Sequence, residues 1–324
     1  MFTALLLEES NNTTQASVQR LYQDSLTSGE VLVKVDYSSL NYKDAMAITG
    51  TGKIVRQWPM VPGIDFAGTV LTSEHSKHKA GDQVILTGWG VGEKYWGGMA
   101  EKAAAKGDWL TPMPCAMNTK RAMAIGTAGL TAMLSLMALE RSGVTPAQGP
   151  ILVTGATGGV GSVAVRLLAN AGFEVHALTG RLQHSDWLRA LGATEVIPRS
   201  EFDKEPAALA SQKWAGAIDA VGGHTLAWVL SQIKMNGAVA ACGLAGGMAL
   251  NTTVMPFILR GVQLLGIDSV YASPATRVAA WQRLQNSLPL DFEDQTEVYT
   301  LAQTITAAHD LLAGKLKGRV LIKP

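Results

Sequence analysis

The sequence predicts an α/β protein: a doubly wound, six-stranded parallel sheet joined to a second, β-rich, barrel-like domain. Three observations carry that expectation. A glycine-rich turn joins an apolar strand to a helix at 151–172, strand-like and helix-like runs alternate from about 121 to 269, and short β-like runs broken by glycine and proline fill the first 120 residues.

The turn comes first because it is the most specific. Ile151, Leu152 and Val153 form a short apolar, partly β-branched run, the pattern of a strand covered on both faces. Gly155, Gly158 and Gly161 follow at intervals of three, with Gly159 between them. Val163, Leu167, Leu168 and Ala171 continue at helical spacing, and Gly172 supplies a stop. A phosphate needs backbone without a Cβ in the way and a helix N-terminus aimed at it, and this segment offers both. The second strand, FEVHALT at 173–179, completes the context of a dinucleotide site. An NAD site places an acid near the end of that strand for the ribose 2′-hydroxyl. Here the strand ends Thr179-Gly180-Arg181, and Glu174 lies at the wrong end. Arg181 can fork onto a 2′-phosphate, Thr179 can donate to it, and Arg199 can close the same pocket. NADPH is therefore the expected cofactor.

The remaining strands of this sheet are predicted at 194–197, 217–221, 238–242 and 264–267, with helices in the gaps. The nucleotide-binding domain is set at 123–267. The β-rich domain takes 1–122 and 268–324, with strands near 31–37, 68–72 and 83–87. A helix is expected at 277–288, and the tail GKLKGRVLIKP reads as a turn and a strand returning to the first domain. The last parallel strand lies at a sheet edge, and an apolar edge invites pairing with a second copy.

Composition bounds the function classes. The chain has 324 residues, more than one core usually serves, with 47% hydrophobic and 16% charged residues. A net charge of +1 gives no bulk attraction to nucleic acid or an acidic membrane. The N-terminal apolar run meets Glu8 and Glu9 too early for a signal peptide. No stretch is expected to span a membrane, and the run at 130–139 reads as a core helix. Two distant cysteines, Cys115 and Cys242, exclude a disulfide framework and a four-cysteine zinc site; each reads as a small buried hydrophobe in a cytoplasmic protein. The six histidines show no ligand or triad spacing.

Further motifs run from end to end: SSLNYKDAM at 38–46, PGIDFAGTV at 62–70, AGDQV at 80–84, AIGTAGLTAM at 124–133 and GKLKGRVLI at 314–322. With the glycine turn, they resemble the zinc-free branch of the medium-chain dehydrogenase/reductase superfamily, the quinone oxidoreductase-like proteins. LNYKDAMAITG, GWGVGEKYWGG, ACGLAGG and TTVMPFILRGVQLLGIDS are similar to the acrylyl-CoA reductase group within it. The resemblance implies a Rossmann domain, a GroES-like catalytic domain, a homodimer and NADPH-dependent reduction of acryloyl-CoA to propanoyl-CoA. It further implies that Thr157, Gly158, Gly159 and Val160 form the pyrophosphate turn and that Thr179, Gly180, Arg181 and Arg199 form the adenosine phosphate pocket. Leu244, Ile258 and Ser269 approach the nicotinamide end, and Tyr42 contacts the cofactor. The zinc branch has a cysteine in its first loop and a glycine-histidine-glutamate motif. This chain has Asn41-Tyr42-Lys43-Asp44 and Gly63-Ile64-Asp65 instead.

Without a metal, the nicotinamide carries the hydride and the protein handles charge. Hydride addition to the β-carbon of a conjugated thioester builds an enolate, and the α-carbon then takes a proton. Tyr42 is the candidate to organise that end, as proton donor or as holder of the nicotinamide ribose, and Asn41 is a candidate oxyanion donor. Trp89 and Trp96, in one glycine-rich loop, are candidates to line the substrate cleft. Lys53, Arg56, Arg277, Lys315, Lys317 and Arg319 are candidate cations for CoA phosphates. Reduction of quinones or other small enones, and NADPH binding with little catalysis, stay open as alternatives. All three readings take a small-molecule partner, not nucleic acid or a membrane.

Overall fold

The computed structural model describes residues 1–26 and 29–324. The chain divides into two units, Met1–Leu130 with Ser269–Pro324, and Thr131–Asp268.

The first unit opens with an antiparallel hairpin, β1 (Phe2–Ser10) and β2 (Thr13–Leu21), that the sequence did not announce. Asn11 and Asn12 turn it with φ of 52° and 59°, the left-handed pair that matches strand twist. Next come β3 (Val31–Ser39), the short helix α1 (Tyr42–Thr49), β4 (Asp65–Ser73), β5 (Gln83–Thr87), β6 (Lys102–Ala105) and β7 (Thr111–Pro112). Val31, Val33, Val35, Phe66, Val84 and Leu86 alternate inward along these strands and form one core. Helix α2 (Thr119–Arg141) follows, interrupted at Gly126, whose φ of 54° and ψ of −159° are not helical. The division between the units falls inside α2, after Leu130, where apolar residues continue on both sides and composition carries no signal. At 23 residues, with an 18-residue window of mean hydropathy 1.7, α2 is long and apolar enough to cross a membrane, contrary to the expectation that no stretch would be. Its 18-residue apolar window is 94% buried within the protein, as a core helix requires.

The second unit is a parallel sheet: β8 (Ile151–Thr154), β9 (Val175–Thr179), β10 (Glu195–Pro198), β11 (Trp214–Asp219), β12 (Ile233–Ala241) and β13 (Gln263–Gly266). The helices are α3 (Gly159–Asn170), α4 (Ser185–Leu191), α5 (Gly223–Gln232) and α6 (Met255–Arg260). The strand order β10-β9-β8-β11-β12-β13 is the doubly wound arrangement the sequence predicted. β11, β12 and β13 begin earlier than expected. β12 continues from α5 without a loop, and a register shift between Trp214 and Gly216 accommodates it. Leu152, Leu178, Trp214, Leu230 and Val239 fill the core.

The chain then completes the first unit with α7 (Pro274–Ser287), β14 (Glu297–Thr300), α8 (Thr304–Leu312) and β15 (Val320–Lys323). Ser273 caps α7 by accepting the Thr276 N–H, and Pro274 sits in its first turn. β15 pairs with β3, Leu321 opposite Ser39, so the tail closes a seven-stranded sheet in the order β14-β15-β3-β4-β5-β7, with β6 on β3.

Candidate active site

Two clusters carry the chemistry, one in each unit. In the second unit, β8 ends at Thr154, whose hydroxyl donates to Asp219 at 2.7 Å and accepts from the Ala220 N–H. Gly155 turns the chain with φ of 60°, and the Gly158 N–H closes the turn on the Gly155 carbonyl at 2.9 Å. A Cβ at Gly161 would lie 2.3 Å from the Gly155 oxygen, so only glycine lets the helix start this close to the strand. Gly158 stands at the N-cap, and Gly159 and Val160 begin α3. The first-turn N–H groups there have no intrahelical partners, which suits a pyrophosphate.

Beside this turn the Thr157 and Thr179 hydroxyls lie 3.2 Å apart. Arg181 Nε donates to Thr157 Oγ1 at 2.9 Å, and the Arg181 backbone N–H donates to Thr179 Oγ1 at 3.0 Å. A Cβ at Gly180 would meet the Arg199 guanidinium at 3.3–3.5 Å. The four residues predicted for the phosphate pocket are thus brought together. Partial burial lowers the pKa of Arg181 from its usual value, but a guanidinium keeps its charge at neutral pH. Arg199 is exposed. Glu174, at the far end of the strand, pairs instead with His176 at 3.1 Å. A glycine cradle and two arginines, Arg181 after β9 and Arg199 after the neighbouring β10, fit the phosphates of NADPH. Leu244 follows β12, beyond the same C-terminal edge of the sheet, and Ile258 lies on α6. Both are exposed, at 60% and 71%.

In the first unit, Tyr42 is the first residue of α1 and is half exposed at 49%. Beneath it lies a buried knot. Asn41 is the N-cap, and its N–H donates to Asp44 Oδ2 at 2.9 Å. Asp44 Oδ1 accepts the Ile64 N–H at 2.9 Å and the Gly63 N–H at 3.2 Å. Asp65 accepts the Ser39 N–H and hydroxyl, the Asn41 amide at 3.1 Å and the Thr127 N–H at 2.8 Å. Arg319, 5% exposed, donates to Ser39 Oγ at 2.8 Å, to Asn41 Oδ1 at 3.3 Å and to the Ala124 carbonyl at 2.9 Å. Gly126 makes room for it: a Cβ there would lie 2.5 Å from Arg319 Nη2 and 3.0 Å from Asp65 Oδ2. Burial, and then the neighbouring Asp65, push the Asp44 carboxyl up to about 7. The Asn41 amide already donates to Ser39, Asp44 and Asp65.

Several expectations are corrected. Arg277 and Arg319 are not surface cations for CoA. Arg277, 1% exposed, donates to Thr87 Oγ1 at 2.6 Å and to the carbonyls of Ser269, Val270 and Ala272, and its guanidinium lies 4.9 Å from the Trp89 ring. Ser269 thereby enters the first unit as a carbonyl anchor for α7. Lys315 pairs with Asp310 at 2.8 Å. Trp89 stacks on Trp109, with Tyr271 edge-on, and Trp96 donates to the Pro59 carbonyl. Cys242 is half-buried, its thiol pushed up to about 12 by desolvation, and Cys115 is exposed; neither is the fully buried hydrophobe expected. Ser39, Gly126, Thr127 and Arg319 join the site without any local sequence signal.

Comparison with known proteins gives a consistent result. Residues 27–115 match an alcohol dehydrogenase GroES-like domain, and 159–286 match a zinc-binding dehydrogenase family. The acrylyl-CoA reductase AcuI of Ruegeria pomeroyi is 51% identical over 328 residues, 99% of each chain. Escherichia coli K-12 YhdH, solved with bound NADPH, is 55% identical with a TM-score of 0.97 over 99% of each chain. Bacillus subtilis yhfP, solved with NAD bound, is 43% identical with a TM-score of 0.95, covering 100% of this chain and 99% of its own. The residues present do not fit the zinc named by one of these families. Among the described residues no three His, Cys, Asp or Glu side chains form a ligand group, and the Arg319 guanidinium sits among the polar atoms of the first-loop and Gly63-Ile64-Asp65 positions.

Proposed function

The chain belongs to the quinone oxidoreductase-like branch of the medium-chain dehydrogenase/reductase superfamily, and from that premise we propose that it reduces acryloyl-CoA to propanoyl-CoA with NADPH. One observation carries the cofactor: the end of β9 gathers Thr157, Thr179, Arg181 and Arg199 where an NAD site would hold an acid. The substrate rests on full-length similarity to the Ruegeria reductase.

When bound, the nicotinamide supplies a hydride to the β-carbon of the acryloyl group. The residues of this chain do the rest. Thr157, Gly158, Gly159 and Val160 hold the pyrophosphate; Thr179, Gly180, Arg181 and Arg199 hold the 2′-phosphate; Tyr42, Leu244, Ile258 and Ser269 define the nicotinamide end. Tyr42 offers an exposed phenol, either to donate a proton to the α-carbon of the enolate or to hold the ribose. Asn41 acts differently from the expectation. Its amide is committed to the buried knot, so it fixes the first turn of α1 and with it Tyr42, rather than donating to an oxyanion. The protein works in the cytoplasm as a homodimer paired through β13, an edge strand whose Gln263, Leu264 and Gly266 are exposed.

The test is NADPH consumption with acryloyl-CoA, run beside crotonyl-CoA, a simple quinone and NADH. Fast turnover of acryloyl-CoA with NADPH is the expected result. Turnover of the quinone alone would move the substrate to the small-enone class, and retained NADPH binding with no turnover would leave a cofactor-binding protein.

A further inference from the structure

Of the six cations that might have met CoA phosphates, the fold buries two in structural roles and ties Lys315 to Asp310, but leaves Lys53 and Arg56 exposed. These two stand on the loop that leads into a small cavity of the first unit. The cavity measures about 220 Å³ and is lined chiefly by Trp58, Met60, Tyr95 and Trp96, with Gln57 and Lys94 as polar members. That is below the ~300–1,000 Å³ that encloses a whole drug-sized ligand, and suits one planar ring system.

The aromatic walls are held in place before any ligand arrives. Trp96 Nε1 donates to the Pro59 carbonyl at 2.9 Å, and both Trp58 and Trp96 pack against the core of β1 and α1. Tyr95 is braced by Trp109, ring centroids 4.8 Å apart, and by Lys106 Nζ, 5.9 Å from its centroid. The Arg56 N–H donates to the Glu93 carbonyl at 2.8 Å, which brings the backbone of Arg56, next to the lining residue Gln57, against the residue before Lys94. Glu93 in turn pairs with Lys43 at 2.8 Å, the residue next to Tyr42. The motif GWGVGEKYWGG thus supplies, beyond the packing of Trp89, two cavity walls, one cation of the lining and the link to the residue beside the candidate proton donor.

We propose that this cavity binds the adenine of the substrate's CoA moiety, with Lys94 and Arg56 taking its phosphates. A half-buried aromatic box with cations at its mouth matches a base carrying phosphates: the ring stacks, and the rim neutralises charge. Among the described residues no acid lines the cavity, and Glu93, next to Lys94, is paired with Lys43. The inference rests on the acryloyl-CoA reading, but its test is separable from it.

The test is calorimetric titration with adenosine 3′,5′-bisphosphate while NADP⁺ saturates the nucleotide site of the second unit. The wild-type protein is expected to bind it, and the exposed-residue variants Lys94→Glu and Arg56→Glu to bind it about tenfold or more weakly, the loss of one charge-assisted contact. In the wild type, the same compound is expected to compete with acryloyl-CoA and not with acryloyl-pantetheine, which lacks the adenosine end. No binding, or equal binding in both variants, overturns the cavity assignment whatever the turnover. Binding with no turnover of either thioester would leave the cavity standing and remove the reductase reading instead.

Discussion

The two charged clusters handle arginine in opposite ways. Arg319 is buried, faces Ser39, Asn41 and a carbonyl, and lies in the field of Asp65 and Asp44. Arg181 follows β9 and Arg199 follows β10, one half-buried and one exposed. A buried cation must have partners, because the desolvation cost of a lone charge is several kcal/mol. A cation that is to meet a phosphate must instead keep its guanidinium accessible to the ligand. The same side chain is therefore architecture in one unit and, on the function proposed, recognition in the other, and local context separates them.

Breaking the buried side should cost most. Arg319→Met leaves Asp65 and Asp44 without their cation, and a loss of about 3–5 kcal/mol is expected in denaturant unfolding. A loss below about 1 kcal/mol would mean the knot is not held by charge. Gly126→Ala should follow closely, since its Cβ would press on Arg319 at 2.5 Å from a backbone at φ 54°; we expect roughly 2–4 kcal/mol by the same assay, from strain and a displaced buried group. Tyr42→Phe touches the exposed end. Its kcat is expected to fall about 100-fold with the melting temperature unchanged if the phenol donates the proton. Unchanged turnover would assign it to packing.

The smallest effect is a pH dependence. The Asp44 carboxyl is raised from 3.8 to about 7. Between those values the folded state holds a proton that the unfolded chain releases, so this group's contribution to stability is present at low pH and declines as pH rises through about 4 to 7. Asp44→Asn should flatten that decline in paired unfolding curves. Parallel curves for the two proteins would place the charge change elsewhere.

The difference between the clusters also explains what could be read in advance. The phosphate pocket is local: Thr157 and Arg181 lie 24 positions apart on adjacent strand ends, and the missing acid is visible by inspection. The parallel strands were legible because burial on both faces makes them continuous apolar runs. The knot is non-local. Ser39 and Arg319 are 280 positions apart, and a glycine before an arginine in GKLKGRVLI looks like any exposed turn. Arginine is so rarely buried that Arg277 and Arg319 read as surface charge. The β1–β2 hairpin escaped because β2 is mostly exposed along its length and its turn is Asn-Asn, without glycine.

The most direct measurement compares NADPH and NADH binding to the wild type and to Arg181→Ala by fluorescence titration. Loss of a charge-assisted phosphate contact predicts NADPH binding weakened by about 10- to 100-fold, with NADH binding changed less than about threefold. Equal losses for both nucleotides would contradict the 2′-phosphate assignment, and with it the claim that this end of the sheet selects NADPH.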